Sequence, residues 1–161
     1  MSLKALKFLI SLVLAVCSMA AFAQMPNPYG ANISLEAAKK AAAPALAEAR
    51  KNNWTMVVVI VDAAGDLVYY EKMDSTQLGS SKVAIDKART AARFKRPTKA
   101  FQDALAAGGA GLRILGLEGA TPVEGGIPLI SDGKIVGAIG VSGDTSDHDG
   151  VCAKAAADSF K

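Results

Sequence analysis

The chain has 161 residues, 51% of them hydrophobic, with 18 Lys and Arg against 15 Asp and Glu. A net charge of +3 is too small to mark a nucleic-acid-binding protein. Two cysteines and one histidine exclude a disulfide scaffold and any zinc site closed by histidine and cysteine alone.

The opening "MSLKALKFLISLVLAVCSMAAFAQ" runs from lysines through an apolar stretch to Ala21-Phe22-Ala23. That order is a secretory signal over residues 1–23, with cleavage expected after Ala23. It is too short and poorly flanked to span a membrane. Lipidation at Cys17 would need a small residue where Val16 stands, so no stable membrane anchor is expected. Loss of Lys4 and Lys7 with the signal leaves 16 basic against 15 acidic residues, and Cys152 becomes the only thiol. The expected product is periplasmic or secreted, with a flexible leader over 24–32 and a single domain over 33–161.

Ser34 reads as a helix cap, and the alanine-rich run after it reads as a helix to about Asn52, with Pro44 inside. Val57–Val61 is a β-branched run suited to a strand buried on both faces. Asp62-Ala63-Ala64-Gly65 supplies a turn, and Leu67–Lys72 returns. A second helix is expected over Ser80–Phe94, and a short third one with Pro97 in its first turn. Residues 107–126 hold seven glycines and read as irregular, with a short helix near Leu112–Leu117. Asp132-Gly133 marks a tight turn inside "GGIPLISDGKIVGAIGVSG". A last helix is expected over Asp147–Asp158, capped by Asp147. The order α–ββ–αα–ββ–α, with both strand pairs as hairpins, predicts an α+β fold with a mainly antiparallel sheet.

Gly137, Gly140 and Gly143 lack the spacing of a dinucleotide fingerprint. Glycines in a strand instead let a backbone, helix or flat ligand come close. Helix 80–94 is basic, and most of its charges read as a solvated face. Lys87 differs, because it shares a face with Val83, Thr90 and Phe94. It either extends its head to water or points into a pocket and meets an anion such as a carboxylate or propionate. "DTSDHD" lacks the pattern of a calcium loop. His148 and Cys152 stand four apart on one helical face, a pair that could ligate a soft metal or an iron porphyrin. Nothing presents a nucleophile on a strand–turn–helix elbow, so catalysis is not the expected role.

Four segments, in order, resemble the GlcG/HbpS-like haem-binding proteins, a family also found as the C-terminal domain of some corrinoid adenosyltransferases. They are "ISLEAAKKAAAPALAEARKNNW", "VVVIVDAAGDLVYYEKMD", "SKVAIDKARTAARFKRPT" and "EGGIPLISDGKIVGAIGVSGDTSDHD". The resemblance implies a profilin-like fold with a five-stranded antiparallel sheet flanked by helices. It also implies a homo-oligomer, haem as cofactor and, for exported members, a signalling partner. The opening helix carries no histidine, so His148 is the one histidine ligand available to haem, with Cys152 beside it. Lys87 or Arg93 would pair with propionates, and Thr90, Phe94, Gly125 and Gly126 would border the pocket. The alternatives are a binding module for a small organic (2-hydroxy) acid held by Lys87, and an enzyme using His148 and Cys152.

Overall fold

The computed structural model describes residues 27–160; the expected signal and residues 24–26 lie outside the described residues. Helix α1 (Leu35–Lys51) starts where Ser34 Oγ accepts from the Ala37 amide at 3.2 Å. Its stripe of Ala38, Ala41, Ala42, Ala45 and Ala49 is buried. Small side chains on one helical face allow the helix axis to approach its neighbours closely. Strands β1 (Val57–Asp62) and β2 (Leu67–Lys72) form the first hairpin, as the sequence predicts. Helix α2 (Ser80–Phe94) follows, then α3 (Thr98–Ala106) and a 3₁₀ segment (Gly109–Gly116). Strands β3 (Gly126–Ser131) and β4 (Lys134–Ser142) meet across Asp132-Gly133, both with positive φ, as the tight turn demands. Helix α4 (Ser146–Ser159) closes the chain.

Two starts differ from expectation. Pro97 caps α3 from outside rather than lying in its first turn. Thr145, not Asp147, caps α4, because its hydroxyl accepts from the His148 amide at 3.4 Å.

The sheet order is β2-β1-β4-β3, antiparallel throughout. Among the described residues it has four strands, not the five that the resemblance implies. Beyond the end of β1, the segment around Tyr29 forms a single bridge to Ile135, with Gly30 N donating to Ile135 O at 2.8 Å. Ile135 N in turn donates to Pro28 O at 2.8 Å, so the bridge is parallel to β4 and closed by two hydrogen bonds.

The central β1 is buried on both faces, and Val57 to Val61 are each 0% exposed. Met56, Val58, Ile60, Leu129, Ile139 and Val141 pack with the alanines of α1 and α4 on one side. Val57, Val59, Val61 and Ala138 pack with Ala84, Ala88, Ala91 and Ala92 of α2 on the other. Strand β4 touches α2 at Gly140, where a first side-chain carbon would run into the Ala84 carbonyl. Gly140 thus serves close helix–sheet packing, whereas a side-chain carbon at Gly137 or Gly143 would meet the backbone oxygen of Val61 or Thr55. The Gly140 contact fixes how far α2, and Lys87 on it, can reach past the sheet.

Candidate functional site

Lys87 points inward, and the carboxylate it meets is the protein's own. Its Nζ lies 2.6 Å from Asp149 Oδ2 on α4 and donates to Val141 O at 3.1 Å. The two side chains are 0% and 3% exposed. Burial holds the Lys87 ammonium below its usual range and pushes the Asp149 carboxyl up, while their mutual attraction opposes both shifts. Asp149 Oδ1 also accepts from the Asp144 amide at 3.4 Å, tying the β4–α4 junction to the pair.

Gly125 and Gly126 cover this pair. At Gly125 (φ +124°) a side-chain carbon would sit 2.6 Å from Val141 O and 3.0 Å from Lys87 Nζ. Gly126 N donates to Thr98 Oγ1 at 2.9 Å. Thr90 Oγ1 bonds Gly119 O at 3.1 Å and accepts from the Thr121 amide at 2.9 Å, anchoring the long loop that leads to the glycines. The structure thus brings Lys87, Gly125 and Gly126 together with Asp149 and Thr98, while Thr90 holds the loop that leads to the glycines. On the outer side of the glycines lies a cavity of about 160 Å³, lined also by Lys99, Glu124, Ile127 and Lys154. Burial, the main effect, raises the Glu124 carboxyl above its usual range.

Arg93 and Phe94 stand apart from that group. Arg93 Nε donates to Ala64 O at 3.0 Å, in the turn after β1. There it lines an open cleft of about 440 Å³ with Tyr29 and Asn32. Phe94 meets Phe101 edge-on, with ring centroids 5.5 Å apart.

His148 lies before the other end of β1. Its ring stacks on Trp54 at 3.9 Å and 13°, with the side chain 39% exposed. Nδ1 is buried and lies 3.3 Å from Asp144 Oδ2, without the alignment of a hydrogen bond. Cys152 is wholly buried in the core beneath α4, and burial pushes its thiol up to about 12. The helical spacing of the two residues is as expected, but their surroundings differ: one ring is half open and one thiol is sealed. Among the described residues no group of three or more His, Cys, Asp or Glu side chains is arranged to hold a metal ion.

Asp149, Glu124, Lys99 and Lys154 went unassigned in the sequence reading. Asp149 was recoverable by the argument that picks out Lys87: it shares a helical face with Cys152, Ala153 and Ala156, all buried. No local signal marks Glu124, because its setting is made by contacts distant in sequence.

A four-stranded antiparallel sheet between α1 and α4 on one face and α2 on the other, with a lysine–aspartate pair sealed under two glycines, defines the class of domain. The family model described as haem degrading protein HbpS-like matches residues 33–158, so the chain belongs to the HbpS-like family. An uncharacterized 15.0 kDa protein from the dhaT-dhaS intergenic region of Citrobacter freundii is 35% identical over 132 residues, covering 81% of this chain and 93% of that protein. A double mutant of Streptomyces reticuli HbpS superposes with a TM-score of 0.74 and 30% identity, covering 82% of this chain and 89% of that one. A PduOC–haem complex superposes with a TM-score of 0.72 and 27% identity, covering 81% of this chain and 96% of that one.

Proposed function

We propose that this protein is exported by its N-terminal segment, forms a homo-oligomer and binds haem without turning it over. Family membership and the haem complex of a structural relative support haem as the ligand. The observation in this chain that carries the reading is His148. It is the sole imidazole, it is half exposed, and its buried Nδ1 faces the Asp144 carboxylate. Histidines that ligate a metal commonly turn their other ring nitrogen to a carboxylate, which orients the ring. Trp54 backs the imidazole, and Val151, 46% exposed one turn along α4, adds apolar surface beside it. Bound there, haem would supply an iron centre, and His148 would be the residue that holds it.

The remaining residues limit how haem is held. The cavity over Gly125-Gly126 is below the roughly 300–1,000 Å³ of common ligand pockets, so the macrocycle stays outside it. Lys87 is already neutralised by Asp149. Arg93 sits at the far end of six-residue β1 from His148, a separation of roughly 20 Å at the usual strand rise. A single haem on His148 therefore does not reach Arg93 of the same chain. The sealed, protonated Cys152 speaks against an enzyme that uses it beside His148.

Titration of the purified protein with haemin, followed at the Soret band, tests this reading. Saturable binding at a fixed stoichiometry, lost or spectrally altered in His148→Ala, is expected. An unchanged titration in that variant removes His148 from the role. A Soret band that bleaches under reductant and oxygen, with haem products released, would overturn the absence of turnover.

A further inference from the structure

We infer that the cavity outside Gly125-Gly126 is a binding site for a small aliphatic monocarboxylate, separate from the surface at His148. Its size sets the class of ligand. About 160 Å³ is roughly half the lower end of common ligand pockets, which suits an anion of a few heavy atoms. Its charge sets the sign. Lys99 and Lys154 converge on it from α3 and α4, two elements far apart in sequence.

Both lysines have partners now, but weakly held ones. Lys99 pairs with Asp103 at 2.7 Å and Lys154 with Asp158 at 2.6 Å, each as an exposed i,i+4 pair. Such pairs contribute little to stability, so either ammonium can swing to a ligand at small cost. Helix α3 adds its positive end: Pro97 offers no capping side chain, and Pro97 itself lines the cavity.

The inner wall is bare backbone. Side-chain carbons at Gly125 and Gly126 would strike Val141 O and the Lys87 carbonyl on the inner side, so this wall stays glycine and presents only backbone to the cavity. Ile127 and Pro97 give an apolar wall suited to an alkyl tail. Glu124 restricts the charge. Its carboxyl lies on the cavity 3.9 Å from Lys99, where a second negative charge on the ligand would face it.

Lys87 takes no part, because Asp149 already occupies it. The site thus does not depend on haem binding. The carboxylate can belong to a free acid or to the propionate arm of a porphyrin.

The test is amide NMR of the haem-free protein titrated with sodium propionate, with sodium chloride and sodium phosphate at matched ionic strength as controls. Saturable shifts centred on Gly125, Gly126, Ile127 and Gly150 are expected for propionate, without matching shifts in the controls. The Lys99→Gln/Lys154→Gln variant should weaken binding about tenfold while leaving the fold intact, since both residues are surface-exposed. Gly126→Ala would strike the Lys87 backbone and is not used. Shifts equal to those of chloride, phosphate binding as tightly as propionate, or unchanged affinity in the lysine variant would each overturn the proposal. Haemin displacing propionate identifies a porphyrin arm as the source, and simultaneous binding of both identifies a free acid. Either result leaves the iron ligand to the His148→Ala haemin titration, so the two readings are tested separately.

Discussion

Replacing Lys87 alone should be more damaging than replacing Lys87 and Asp149 together. Both side chains are almost wholly buried and 2.6 Å apart. Desolvation opposes both charges, and their attraction, with the bond to Val141 O, offsets it. In Lys87→Met the Asp149 carboxylate keeps only weak amide contacts at the β4–α4 junction. A buried partner left unpaired costs about 3–5 kcal/mol, a large share of the roughly 5–15 kcal/mol that stabilises an ordinary domain. For a domain of this size that is a fall in Tm on the order of 10–20 °C. Asp149→Leu should cost about as much, because it strands the ammonium. The double variant Lys87→Met/Asp149→Leu leaves no buried charge, so it should lie within about 1–2 kcal/mol of the parent, on either side. Urea unfolding followed by the fluorescence of Trp54, the only tryptophan, gives all four corners of the cycle. Single variants that cost less than about 1 kcal/mol, or a double variant as poor as the sum of the singles, would refute the reasoning.

Cys152 should resist iodoacetamide in the native protein near pH 8 and react at once in urea, because burial keeps it protonated. Its folded-state value of about 12 lies above the ordinary value of 9.0, so the native state holds a proton that the unfolded chain releases. Stability should therefore fall as pH rises from about 9 to about 12, and Cys152→Ala should fall less steeply over that window, as alkaline urea titrations would show. Gly140→Ala should lower stability by about 1–3 kcal/mol or more by forcing α2 off the sheet, read as a drop in Tm.

The elements were legible in the sequence because each carries a local cause. Ser34 caps α1, the β-branched run Val57–Val61 forms the buried central strand, and Asp132-Gly133 closes the second hairpin. The caps of α3 and α4 were each misplaced, since several neighbouring residues can cap and the local chain path selects one. The fifth strand is an implication of the resemblance, whereas the Tyr29 segment makes only a bridge to Ile135, a pairing distant in sequence that no local signal reports.

By itself the sequence determined the α+β order, the two hairpins, the apolar neighbours that Lys87 shares a helical face with and the uniqueness of His148. Periodicity, turn chemistry and residue counts are properties of neighbours along the chain. Only the tertiary structure decided what those residues meet. It placed Asp149 across from Lys87, sent Arg93 to the opposite end of β1 from His148, and brought Lys99, Glu124 and Lys154 around Gly125-Gly126. Lys87 and Asp149 are 62 positions apart. Such pairings depend on how α2 and α4 dock against the sheet, and that docking rests on close approaches such as the one at Gly140.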